Sequence, residues 1–165
     1  MALDVLLTEL IISLGYLGAG LAGFISSATL FLPTPAFIVI FIMAAPQFGF
    51  NPLFLGISAG IGAALGEMIG YGIGYGSEKL ALNNYRDKLK VVEKYFEKFG
   101  GFFVITIFAA TPLPFDVVGI FCGIMGYSLR KFIVATAIGK VIKYSAIAFA
   151  GFYGIAWLSK LFGLG

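Results

Sequence analysis

Apolar residues fill most of the chain, and the few polar stretches divide it into predicted elements. From Leu10 to Gly66 there is no Asp, Glu, Lys or Arg, which amounts to more than two bilayer crossings at roughly 20 residues each. Two segments, Leu53 to Gly76 and Phe132 to Leu158, run without a proline, and each is long enough to cross the membrane as a tilted helix. The other two apolar runs, 15–50 and 100–129, are interrupted near their middles by PTP at Pro33 to Pro35 and PLP at Pro112 to Pro114. Prolines at i and i+2 remove amide donors and clash with the preceding turn, so a helix halts there. Residues 100–129 are too long for one span and too short for two. Half-helices of about twelve residues would each reach about 18 Å, near the membrane midplane. Both interrupted runs are therefore predicted to be re-entrant hairpins with tips at Pro33, Thr34 and Pro35 and at Pro112 and Pro114.

Each hairpin follows a segment with amphipathic spacing. In residues 2–14 the polar positions Asp4, Thr8, Glu9 and Ser13 form a narrow stripe, and in 78–99 the apolar positions Tyr85, Leu89, Val92, Phe96 and Phe99 recur every three or four residues. Such helices lie in the membrane interface. A solvated linker helix is the alternative for the second. The order of surface helix, re-entrant hairpin and spanning helix thus occurs twice. The predicted fold is an all-α integral membrane protein, a single domain over 1–165 with repeat 1 at about 1–77 and repeat 2 at about 78–160. A hairpin returns to its own side and the following helix crosses once, so the repeats are inverted and the hairpins face each other. The proline motifs lie 79 residues apart, and that offset superposes Leu53, Ala59 and Gly60 on Phe132, Ile138 and Gly139.

Composition supports the membrane reading, since 12% of residues are charged against about 25% in soluble domains. The first residues carry Asp4 and Glu9 without Lys or Arg, unlike a secretory signal, and are expected to be mature structure. Cys122 is the sole cysteine and there is no histidine, so neither an internal disulfide nor a metal site or cofactor is expected. Cys122 is expected to be a packed apolar residue. The net charge of +3 sits near membrane-edge segments, which suits anionic lipid headgroups, and nothing resembles a nucleic-acid groove. The basic 79–98 segment is expected on the cytoplasmic side, with both termini outside.

Ionisable residues within apolar sequence carry the candidate chemistry. Gly62, Gly66, Gly70 and Gly74, extended by Gly56 and Gly60, are expected to form one face of the first spanning helix that another backbone can approach. Glu67 lies in that face, about 14 Å from the helix's basic-side end. Lys140, at a similar depth on the second spanning helix, is a plausible ion partner for it, and Lys143 lies one turn further on. Asp116 follows PLP and brings a carboxylate to the second tip, where it can cap the returning half-helix and also serve a water-reachable site. Glu67, Asp116, Lys140 and Lys143 are the expected substrate and ion site; a purely structural ion pair, or lysines reaching to the interface, is the alternative. GISAG at Gly56 to Gly60 matches the Gly-x-Ser-x-Gly hydrolase pattern around Ser58. With no histidine to activate it, and inside a helix, Ser58 is expected to be a packing residue and the protein not an enzyme.

The segments GYLGAGLAGF leading into LFLPTPAF, then GAALGEMIGYGIGYGSE, then KFGGFFVITIFAATPLPFDVVGIFCGIMGYSLRKFIVATAIGKVIKY, in that order, resemble the DedA superfamily, also called the VTT or SNARE-associated domain family. Within it the short YqaA-like branch is most similar, on Pro114 to Asp116 and on Lys140 and Lys143. Many members carry an acidic residue at the first proline motif and an arginine after the second; here Ala36 and Phe37 follow PTP, and no arginine follows PLP before Arg130. The resemblance implies facing hairpins and movement of glycerophospholipids or polyprenyl-phosphate carriers between leaflets, coupled to proton or sodium gradients. The expected function is a transporter or flippase of an anionic lipid in a prokaryotic cell membrane. A passive scramblase, or a membrane-shaping or assembly protein using the glycine face to bind another chain in a homo-oligomer, is the alternative.

Overall fold

The computed structural model describes residues 13–29, 36–77, 94, 96, 98–112 and 115–161, with side chains as far as Trp157 in the last segment. The described elements are helices: α1 (Tyr16–Ala28), α2 (Ala36–Met43), a 3-10 turn at Pro46–Phe48, α3 (Pro52–Gly76), α4 (Gly101–Ala110), α5 (Asp116–Ile124) and α6 (Leu129–Leu161). Two helices are long and apolar enough to cross a membrane, α3 and the Leu129–Trp157 part of α6. The other four have 13, 8, 10 and 9 residues, roughly 12–20 Å at 1.5 Å per residue and short of a hydrocarbon core of about 30 Å.

Local sequence explains where the long helices begin. Asn51 caps α3, its side chain accepting from Leu53 N–H at 2.9 Å, and Pro52 sits at the first helical position, where a missing amide costs nothing. Gly49 and Gly126, each three residues before a long helix, have φ of +70° and +63°, a backbone that side chains with a Cβ rarely adopt.

Close backbone approaches give the helix directions. Gly56 packs on Ser145 and Gly60 on Val141, so rising numbers on α3 meet falling numbers on α6 and the two long helices are antiparallel. Gly20 packs on Gly62 and Phe24 on Gly66, so α1 runs parallel to α3. Its first residue lies at the start of α3, where Tyr16 Oη accepts from Asn51 N–H at 3.0 Å. The chain therefore travels along α3 as far as Gly66 and comes back, by way of α2, to where it set out. The second pair does the same from the other end. Gly119 lies beside Tyr71 and Gly123 beside Tyr75, so α5 also runs parallel to α3. Tyr127, just past α5, stacks edge-on against Phe96 at 5.5 Å and stands against Gly101 at the start of α4.

The two halves repeat their contacts in exchanged order. Gly62 of α3 meets α1 and Gly74 meets α5; Gly139 of α6 meets α4 and Gly151 meets α2. Each first arm thus rests on its own long helix and each second arm on the other. The matching positions, 62 and 139, 74 and 151, the turn glycines 49 and 126, and the helix starts 52 and 129, are all 77 residues apart. The 79-residue superposition of Leu53, Ala59 and Gly60 is corrected by two positions. The connection from second arm to long helix takes eight residues in the first half, 44–51, and four in the second, 125–128.

Two further expectations are refined. The α3 glycines do not form one face: Gly56 and Gly60 meet α6, Gly62 and Gly66 meet α1, and Gly74 meets α5. Second, α6 starts at Leu129, a turn before Phe132. The amphipathic segments 2–14 and 78–99 lie outside the described residues except Ser13, Leu14, Lys94, Phe96, Lys98 and Phe99, as do Pro33, Thr34, Pro35 and Pro114; Pro112 is exposed after α4.

Candidate functional site

Apolar side chains pack in two clusters, one around Ala19, Ile40, Leu55 and Ala148, the other around Tyr71, Ile105, Phe115 and Phe132. Glu67 lies on α3 between Ala63 of the first and Tyr71 of the second. Both short pairs extend to this level, since Phe24, Ser27 and Ala28 lie against Gly66 and Gly119 lies over Glu67. Counting along α3, Glu67 is about 22 Å from Pro52 and about 14 Å from Gly76, well inside the span.

Lys140 Nζ meets Glu67 Oε1 at 2.5 Å, and their exposures are 5% and 1%. The ammonium also lies 3.4 Å from Ser27 Oγ and 5.0 Å from the centre of the Phe115 ring, an electrostatically favourable face. An isolated charge at this depth is costly, and pairing with these neighbours offsets much of that cost. Glu67 Oε2 is buried without a hydrogen-bond partner, as is Thr136 Oγ1, one turn before Lys140 on α6. A cavity of about 170 Å³ opens beside the pair, lined by Ser26, Ser27, Phe37, Asp116, Lys143 and Tyr144 together with Phe115 and the pair itself.

Thus Glu67, Asp116, Lys140 and Lys143 come together around one cavity, from three helices. Asp116 is the first residue of α5 and half-buried; Phe115 at the cap position makes no side-chain cap bond. A carboxylate in a first helical turn is favoured by the helix dipole. Sequence reasoning missed Ser26, Ser27, Phe37, Phe115, Thr136 and Tyr144. The adjacent serines one to two turns before the first proline motif were the available signal. Tyr144, beside Lys143, lines the cavity together with Ser26.

Two other sequence candidates are packing residues. Ser58 Oγ donates to Tyr16 C=O at 2.5 Å within the α1–α3 contact, and Cys122 is fully buried where α5 meets α3. Gly62 and Gly66 are covered within the chain by α1 and Gly74 by α5, and Gly70 is buried. A second, larger cavity of about 570 Å³ runs between α4 and α5; all nine of its lining residues are apolar, among them Phe103, Ile107, Val117 and Phe121. Val117 and Val118 line this cleft while the adjoining Asp116 lines the charged one.

Helices of membrane-spanning length, with a buried ion pair and charged cavity where short helices meet between them, define an α-helical membrane protein with an internal polar site. Residues 10–153 match the VTT domain, and the chain belongs to that family, the DedA or SNARE-associated proteins of membranes. No curated protein and no solved structure matches the chain.

Proposed function

We propose that this protein moves an anionic lipid, a glycerophospholipid or polyprenyl phosphate, between the leaflets of a prokaryotic cell membrane, with Lys140 and Lys143 attracting the headgroup and Glu67 and Asp116 handling coupled protons or sodium ions. The observation that carries this reading is the lysine-bearing cavity at the level that both short helix pairs reach, deep within α3 and α6. Such a position suits a substrate site at the midplane of an inverted repeat. Antiparallel long helices, arms that start from opposite ends of α3 and the 77-residue correspondence support re-entrant, inverted halves. The apolar cleft between α4 and α5 adjoins the headgroup site at Asp116 and suits the lipid's tails, which a simple ion carrier would not need. The sequence pattern of Pro114 and Asp116 with Lys140 and Lys143 favours the YqaA-like branch.

Reconstitution tests the proposal. Liposomes containing the protein should move labelled phosphatidylglycerol inward at a rate that responds to a pH or sodium gradient, and K140A and D116N, purified as folded protein, should lose that movement. Flux that ignores both gradients and survives both substitutions would establish the passive scramblase instead.

A further inference from the structure

The carboxylate of Glu67 is anionic, tethered, and already seated on the cation that an anionic headgroup would need. We infer that Glu67 acts as an internal substitute for a phosphodiester: the ligand displaces it from Lys140, and Glu67 takes up a proton as it leaves. The inference rests on the anionic-lipid reading above and specifies how anion entry and proton entry are tied together.

Three observations support it. First, the pair is reachable, since Glu67 and Lys140 form part of the wall of the 170 Å³ cavity. That volume equals about five or six waters at roughly 30 Å³ each, enough for a phosphate group and not for a whole lipid, so the tails stay outside. Second, Lys140 is the most buried cation among the described residues, 5% exposed, with Glu67 its sole described ion partner. A phosphate reaching Lys140 must compete with Oε1 for the same ammonium protons. Third, only half of the Glu67 carboxylate is used: Oε2 is buried without a partner, a place where a proton can sit without breaking a bond.

Charge balance then requires the coupling. Glu67 is faced by Lys140, Lys143 and Tyr144 from α6, Asp116 and Phe115 at the start of α5, and Ser27 from α1, with Tyr71 a turn away on its own helix. Two carboxylates and two ammonium groups make the described cavity formally neutral. Adding a phosphodiester monoanion leaves one negative charge uncompensated in a low-dielectric interior, which is costly. One proton from water onto Glu67 restores neutrality. The ligand's phosphate replaces the carboxylate at Lys140 Nζ, the new acid's O–H turns to Ser27 or water, and the reverse sequence releases both.

The test uses the full chain in detergent and two monoanionic phosphodiesters, dimethyl phosphate and dihexanoylphosphatidylglycerol below its micellar concentration. Calorimetry in buffers of different ionisation enthalpy reads the protons taken up per ligand bound. The wild-type protein should take up about one proton per anion at a pH where the unliganded pair is ionised. E67Q should bind roughly tenfold more tightly, since the competitor is neutral, with no proton uptake and no pH dependence. Response to both probes identifies the phosphodiester as sufficient; response to the lipid alone identifies a headgroup presented with its tails. Wild-type binding without proton uptake overturns the inference even if E67Q does not fold. Uptake that persists in E67Q and vanishes in D116N overturns it too, by moving the proton to Asp116. Binding of neither probe would instead remove the anionic site, and with it the proposed function.

Discussion

Lys140 and Glu67 illustrate what a single residue discloses. A charge inside a long apolar stretch is conspicuous in sequence because its burial is costly, and residues that resist this cost have partners. The two helices bring Glu67 and Lys140 to 2.5 Å. The hydroxyls around them could not be picked out in the same way. Thr29 and Thr106 bond to the carbonyls of Ile25 and Phe102 one turn earlier on their own helices, whereas Ser27 Oγ reaches Lys140. Serine and threonine in an apolar helix can satisfy themselves locally, so sequence does not distinguish an inward hydroxyl from a self-bonded one. The pair also makes a stability prediction. Glu67→Ala or Lys140→Ala leaves an unpaired buried charge and should cost about 3–5 kcal/mol, while Glu67→Met with Lys140→Met should cost much less. Unfolding in a single detergent compares them, and a double variant no more stable than the worse single one would show that the charges contribute more than their mutual pairing. Lipid movement should be absent in all three.

Among the elements, the glycines separate a visible pattern from a hidden assignment. Their four-residue spacing announces close helix packing, but not which neighbour approaches, because Gly56, Gly60, Gly62 and Gly74 differ only in the direction they face. The repeat offset of 77 residues differs from the 79-residue spacing of the proline motifs for a related reason. The proline motifs precede the second arms, and the length of the connection after each second arm differs between halves, so the motifs and the long helices keep separate registers. The packing predicts opposite outcomes for neighbouring positions on α3. A Cβ on Gly74 would collide with the Ile120 carbonyl, whereas one on Gly72 meets nothing within 4 Å. Gly74→Ala should therefore destabilise by about 1–3 kcal/mol, and Gly72→Ala should stabilise by about 0.5–1 kcal/mol through lower backbone freedom in the unfolded chain. Thermal midpoints of the two variants check this, and similar midpoints would mean that α5 does not press on α3 at Gly74. Asn51→Ala, which removes the cap on α3, should cost about 1 kcal/mol by the same measurement.

On the scale of the whole molecule, the two helix pairs open at opposite ends of α3, and charge distinguishes the ends. At one, the exposed residues include Gln47 and Asn51, and no charged residue occurs between Leu10 and Gly66. At the other, Lys94, Lys98, Arg130 and Lys131 are all exposed. Basic residues concentrate on the cytoplasmic side of membrane proteins, so the mouth between α4 and α5 should face the cytoplasm and the mouth between α1 and α2 should face outward. Exposed positions at the two mouths make this measurable in cells. With Cys122 replaced by alanine, an impermeant thiol reagent added outside should label Gln47→Cys and leave Ser128→Cys untouched until the membrane is opened. Labelling of both from outside would mean that the pairs enter from one face. That would rule out the proposed inverted relation between the halves and remove the reason for placing the Lys140 site within reach of both leaflets in turn. Labelling of Ser128→Cys alone would keep the inverted architecture and reverse only its orientation, so the same pair of variants distinguishes a failure of topology from a failure of the charge rule.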